Sequence, residues 1–240
     1  MEKRIIDTSA GTEALRGARL FQGLDERGLK ESASLALSVE RKPEEVFFRQ
    51  GETAARFFLL CRGQVKLIQT TPEGHQIVVR YAGRGEMFGC VPVYGGKEYP
   101  ATATALVRCA ALGWDRPATD HLMEQHPRIA VNALQLLGEE LAEVRLRYQE
   151  LATERVEQRV ARALLRFVRH AGRKVETGVL VEFPLSRQDL AEFTGTTMHT
   201  VSRILSAWQD QGLIQSGRKR VIVRKPHELV ALAEDLFPKL

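Results

Sequence analysis

The sequence predicts an α+β chain: an antiparallel β-roll of the jelly-roll type, then a long helix, then a C-terminal winged helix-turn-helix. Three observations predict it. Short apolar runs punctuated by turn residues fill positions 36–114, a strict heptad spacing of apolar residues occupies 130–151, and a helix-capping signature precedes a glycine break and a strand–turn–strand near the C-terminus. The three parts are expected over residues 1–126, 127–152 and 153–240.

Two short helices are expected first, near 12–20 and 26–36. In the roll, Phe57-Phe58-Leu59-Leu60, Val65-Lys66-Leu67 and Ile77-Val78-Val79-Arg80-Tyr81 read as strands, and Thr71-Pro72-Glu73-Gly74 as the hairpin turn between two of them. Several short strands joined by tight turns form an antiparallel barrel or roll. Gly51, Gly63, Gly83, Gly85 and Gly89 mark its turns.

After residue 115 the period becomes helical. Ala130, Leu134, Leu137, Leu141, Val144, Tyr148 and Leu151 follow one another at spacings of 4 and 3. This two-in-seven seam is that of a coiled-coil dimer helix, whereas a helix packed on its own roll shows a wider apolar stripe. Pro127 fits the first turn, where a missing N–H costs nothing. A break follows at Ala152-Thr153-Glu154, with Thr153 expected to cap a helix running to about His170. Arg155, Arg159, Arg162, Arg166 and Arg169 keep one face of that helix cationic, and some are expected to pair with acids at the end of the seam helix.

Ser186-Arg187-Gln188-Asp189 has the form of a capping box, a hydroxyl at the cap and an acid three residues on. Gly195 can take the left-handed turn, and Thr196 or Thr197 can cap the next helix. Ala191 leaves room for two helices to cross. Leu213–Gln215, Ser216–Arg220 and Val221–Val223 then read as strand, basic turn and strand, completing a winged helix-turn-helix. If Val201, Ile204 and Leu205 face inward, Met198, His199, Ser202 and Arg203 face outward as candidate base-reading residues. An outward arginine can grip guanine O6 and N7 with both prongs. Arg187, Gln188, Thr197, Thr200, Arg218 and Lys219 suit phosphates, which set position rather than sequence.

Composition narrows the classes. With 44% hydrophobic and 27% charged residues the 240-residue chain can bury a core. No run approaches eighteen apolar residues, so no membrane span is expected, and the N-terminus lacks a signal-peptide core, so the expected location is cytoplasmic. Cys61, Cys90 and Cys109 are an odd count with no close pair, which argues against a disulfide framework and a structural zinc site. Residues 1–152 carry 20 basic and 20 acidic groups, whereas 153–240 carry 15 and 10. The whole excess of +5 therefore lies in the last third of the chain, the asymmetry that a nucleic-acid-binding module joined to a neutral domain would show. Neither a nucleophile elbow nor HExxH is present, so an enzyme is not expected. A regulatory module with a non-transcriptional output would leave the basic wing unexplained.

With LSRQDLAEFTGTTMHTVSRILSAWQDQGLI and FFRQGETAARFFLLCRGQVKL…GRGEMFG in this order, the chain over about 17–236 resembles the CRP/FNR family of bacterial transcription regulators. The resemblance implies a homodimer, a cyclic-nucleotide-binding-like roll that senses a small signal, and a double-stranded operator with half-sites ~34 Å apart. RNA polymerase becomes a further partner where such a protein is an activator. Carried over by position, Arg203 reads the half-site guanine, Ser202 a neighbouring thymine, and Arg187, Gln188, Thr197 and Thr200 hold phosphate. His199 departs from the family's usual glutamate, and GTTMHTVSRILSAW is similar to the branch responding to nitrogen oxides. A TTG-type half-site is the expectation.

The resemblance also places a sensor pocket at Gly89, Cys90, Tyr99 and Pro100. Members that bind cyclic AMP have Gly-Glu and Arg-Ser-Ala at these two segments; here they read Gly89-Cys90 and Tyr99-Pro100-Ala101, which argues against cyclic AMP. Closely spaced N-terminal cysteines for an iron–sulfur cluster are missing. Haem stays open as a cofactor, with Cys90, His75, His121 and His126 as ligands and Tyr94 and Tyr99 nearby, as does redox sensing at Cys90.

Overall fold

The computed structural model describes residues 2–4 and 8–235. It divides into two compact units, one of residues up to 75 with 79–143, the other of 144–235 with 76–78.

The first unit opens with β1 (Glu2–Arg4), α1 (Thr8–Arg16), a 3-10 turn (Arg19–Phe21) and α2 (Glu26–Ser34). The first helix thus lies earlier than the expected 12–20. The helix ends at Arg16, the chain turns through the 3-10 segment, and Leu15, Ala18, Leu20 and Phe21 are all buried. Asp25 caps α2, accepting from Gly28 N–H at 2.8 Å.

The roll follows as β2 (Leu37–Arg41), β3 (Val46–Phe48), β4 (Arg56–Arg62), β5 (Val65–Thr70), β6 (Gln76–Ala82), β7 (Met87–Phe88), β8 (Thr102–Ala105) and β9 (Cys109–Asp115). Its two antiparallel sheets run β1-β2-β9-β4-β7 and β3-β8-β5-β6. The expected hairpin turn forms: Gly74 N–H donates to Thr71 O and Thr71 N–H to His75 O, each at 2.9 Å. Between the sheets lie Phe47, Phe48, Phe58, Phe88 and Tyr99. Behind the first sheet, Trp114 stacks on Phe57 at 5.0 Å and donates its Nε1–H to Ser32 O at 2.8 Å.

Next come α3 (Arg116–Gln125) and α4 (Pro127–Thr153), which begins at the expected proline. The first half of α4 does pack on the roll, through Ile129, Ala133 and Leu136, with Asn132 Nδ2 donating to Leu20 O and Gln22 O. That inward face is separate from the heptad seam. Leu134, Leu137, Leu141, Val144, Tyr148 and Leu151 all stay exposed, from 39% at Leu137 to 75% at Tyr148.

The second unit continues with α5 (Val156–Ala171), β10 (Gly172–Val175), β11 (Gly178–Val181), α6 (Arg187–Thr194), α7 (Met198–Asp210), β12 (Ile214–Gly217), β13 (Arg220–Val223) and α8 (Pro226–Ala233). Its sheet runs β10-β11-β13-β12. Thr153 is the last residue of α4 rather than a cap, its hydroxyl donating to Gln149 O at 2.9 Å. The cap of α5 is Arg155, whose N–H donates to Gln158 Oε1 at 3.0 Å. Because α4 runs through Thr153, the break falls at Glu154 and Arg155 and α5 starts at Val156.

Candidate nucleic-acid interface

The helix-turn-helix is assembled by short-range chemistry. Ser186 N–H and hydroxyl both donate to Asp189 Oδ2, at 2.9 and 2.5 Å, while Asp189 N–H donates back to Ser186 Oγ at 3.0 Å. This reciprocal box starts α6. Gly195 ends it with φ 64° and ψ 47°, a left-handed conformation costly for a residue with Cβ. A Cβ there would also meet Leu151 Cδ2 at 2.8 Å. Thr197 caps α7, its Oγ1 accepting from Thr200 N–H at 3.1 Å and lying 2.9 Å from Thr200 Oγ1.

Two arginines, Arg159 and Arg147, hold this motif from below, and two more, Arg166 and Arg162, tie the helices beneath it together. Arg159 donates to Glu154 O at 2.8 Å, Thr194 O at 3.0 Å and Gly195 O at 3.4 Å, so it caps the carbonyls of the turn itself. Arg147 donates to Phe193 O at 3.2 Å and lies over the Phe193 ring. Arg166 binds Glu150 through two prongs, and Arg162 joins Glu154 to Glu234. The pairing with acids at the end of α4 occurs as expected at Arg166 and Arg162; these cations are spent inside the unit rather than offered to phosphate.

On α7, Val201, Leu205 and Trp208 are buried and Ile204 half-buried. Trp208, which the spacing did not single out, donates its Nε1–H to Glu157 Oε1 at 3.0 Å and pins the helix to α5. That leaves Met198, His199 and Arg203 exposed and Ser202 half-exposed on the opposite face. Among the described residues Arg203 forms no ion pair, and Glu192 instead accepts from Gln188 Nε2 at 2.8 Å. Arg187, Gln188, Thr197, Arg218 and Lys219 are exposed and Thr200 half-exposed. A cleft of about 360 Å³ joins the start of α6, the start of α7 and the wing. Arg187, Gln188, Met198, Arg218 and Lys219 line it over a floor that includes Leu190 and Leu205.

The four sensor-pocket residues fare differently. Tyr99 is a core residue: its ring stacks on Phe48 at 3.8 Å, and its hydroxyl donates to Arg56 O at 2.5 Å and accepts from Arg56 N–H at 2.9 Å. Gly89 has φ 67°, and a Cβ there would meet Phe48 Cε1 at 2.7 Å, so glycine is what lets the aromatic cluster close. Pro100 is exposed. Burial pushes the Cys90 thiol up to about 12 against the opposing charge of Arg80, and burial likewise raises Tyr94. A thiol held protonated is a poor nucleophile, which weighs against redox sensing there. His75 is exposed just after the Thr71–Gly74 turn, whereas His121 and His126 both turn to Glu31, their Nε2 atoms 2.9 and 3.0 Å from its two oxygens. The described residues contain no cluster of three or more side chains fit to hold a metal ion.

A β-roll, a long helix and a winged helix-turn-helix with an open polar recognition face define a DNA-binding transcription regulator. Comparison with known proteins agrees at both ends of the chain. Residues 38–126 match the cyclic nucleotide-binding domain and 158–232 the Crp-like helix-turn-helix domain. The cyclic AMP receptor protein of Thermus thermophilus is 30% identical over 226 residues, covering 92% of this chain and 98% of that one. The CRP-like cAMP-activated global transcriptional regulator of Mycobacterium tuberculosis is 25% identical over 226 residues, covering 92% and 99%. FixK2 of Bradyrhizobium japonicum shares the fold with a TM-score of 0.73 at 22% identity, over 82% of this chain and 96% of that one. The chain belongs to the CRP/FNR family, whose members are transcription regulators and not enzymes. Among the described residues no helix is long and apolar enough to cross a membrane.

Proposed function

We propose that this regulator acts as a homodimer on a two-fold TTG…CAA operator, under the control of a signal, other than cyclic AMP, received in the roll. The observation that carries the operator reading is the exposed face of α7. Met198, His199, Ser202 and Arg203 stand free of the core beside the cationic wing, with Arg203 unpaired among the described residues. Arg203 takes the half-site guanine through O6 and N7, Ser202 and His199 address neighbouring bases, and Arg187, Gln188, Thr197, Thr200, Arg218 and Lys219 hold phosphates. The open seam of α4 supports the dimer, because six large apolar side chains in heptad register gain most by facing their own copies. Where the protein activates, RNA polymerase is the further partner. Tyr99 and Pro100 in place of a phosphate-holding Arg-Ser, together with Cys90 in place of the ribose-holding glutamate, support a signal other than cyclic AMP.

The test is binding of the intact protein to a TTG…CAA palindrome and to random duplex, for the wild type and Arg203→Ala. The expected result is loss of operator preference by about 5- to 150-fold per half-site, since a bidentate pair is worth ~1–3 kcal/mol, with weak salt-sensitive binding kept. Equal loss on both duplexes would refute the base-reading role.

A further inference from the structure

Helical geometry sorts the open face of α7 into two ridges, because residues four apart lie one above the other. His199 and Arg203 form one ridge; Met198 and Ser202 form the other. The first is a pair of nitrogen-bearing side chains suited to hydrogen-bonding base edges. The second pairs a hydroxyl with a thioether, and the thioether makes no hydrogen bond of consequence with a base.

Met198 is nevertheless 52% exposed. Among the described residues between 152 and 229 it is the one large hydrophobic side chain left so open. A scattered exposed apolar residue would call for no explanation, but this one is placed by three independent features. It occupies the first position of α7, fixed by the Thr197 cap. It lines the cleft whose rim carries Arg187, Arg218 and Lys219, three exposed cations. And its ridge partner, Ser202, is half-exposed with a hydroxyl free to donate or accept. An apolar tip inside a cationic frame suits a target that is polyanionic outside and carries an apolar group within. In the major groove that group is the 5-methyl of thymine, the one hydrocarbon substituent that a base edge presents there. The flexible, polarizable methionine side chain can follow such a methyl without a preformed pocket.

We propose that Met198 is a specificity-determining residue that reads the 5-methyl group of a half-site thymine, resting on the operator reading above. Met198 adds apolar contact where Ser202 adds a hydrogen bond, so the ridge distinguishes thymine both from cytosine and from its own demethylated form.

The experiment replaces each thymine of the TTG…CAA palindrome in turn by deoxyuridine, which removes the methyl and leaves every hydrogen-bonding group in place. Binding is measured for the intact wild type, Met198→Ala and Arg203→Ala. At one thymine the wild type should lose about fourfold affinity per half-site, the worth of one buried methyl. Met198→Ala should bind the thymine operator about as the wild type binds the deoxyuridine operator and show no difference between the two. Met198→Leu should restore part of the discrimination. A wild type indifferent to deoxyuridine at every position, or a Met198→Ala protein that keeps the full thymine preference, would overturn the inference. Neither result touches the operator reading, which falls only if Arg203→Ala weakens operator and random duplex alike.

Discussion

Arg166 and Glu150 face each other across α5 and the end of α4 in a two-pronged ion pair, with Arg166 Nη1 3.0 Å from Glu150 Oε2 and the carboxylate side chain only 7% exposed. Such a pair is worth more in its breaking than in its making. Removing one partner strands a buried charge, whereas replacing both by apolar groups of similar size can be neutral. Arg166→Met should therefore destabilise the protein by about 3–5 kcal/mol, and adding Glu150→Leu should recover most of that loss. Denaturant unfolding of the single and double variants, followed by a probe in residues 144–235, measures both numbers.

The wing should govern affinity without governing sequence. Arg218→Ala with Lys219→Ala is expected to weaken operator and random duplex by the same factor. The slope of log K against log salt should flatten by about two per protomer, one counterion for each lost phosphate contact. A loss confined to the operator would assign these two residues to base reading instead.

Assembly through α4 gives a direct measurement. Leu137→Glu with Leu141→Glu places charges in the middle of the seam, where the apolar side chains are 39% and 52% exposed in the single chain. Sedimentation should report a monomer, and operator affinity should fall by about 100-fold as two linked half-site contacts become independent. A variant that sediments as the wild type would move the dimer contact elsewhere.

Glu31 supplies the pH dependence. Its hydrogen bonds to His121 and then to His126 hold the carboxyl below its ordinary value of 4.5. A group with a depressed folded pKa contributes stability above its unfolded pKa and loses it as the pH falls through the folded one. Glu31→Gln should thus lower the melting temperature of the roll by about 1–2 °C at pH 5.5, in keeping with a partly exposed pair. The gap should close as the pH drops below 4. A gap that widens in acid would reverse the sign of the linkage.

How far each feature could be read in advance follows the range of the interaction that makes it. Ser186 with Asp189, Gly195 and Thr197 act within a turn or two of chain, and all four took their expected roles. The exposed heptad stripe of α4 was legible because its period is a property of the sequence alone, although the second, inward face through Ile129 and Ala133 was not separated from it. Tyr99 lay beyond such reading: what makes it a core residue is the ring of Phe48 and the backbone of Arg56, both distant in sequence. Arg159 was visible as a cation at helical spacing, but its task at Thr194 O and Gly195 O exists only once the helix-turn-helix has folded against α5. Thr153 is not a cap because α4 continues through it, with its hydroxyl on Gln149 O, so that α5 starts two residues later than the break suggested.

The chain has two tryptophans, and each is buried in a different unit: Trp114 on Phe57 in the first, Trp208 against Glu157 in the second. The molecule therefore carries a private optical reporter in each half. With Trp114→Phe or Trp208→Phe, the tryptophan emission that remains comes from one unit alone, so a change in the roll and a change in the winged unit can be timed separately, without a label.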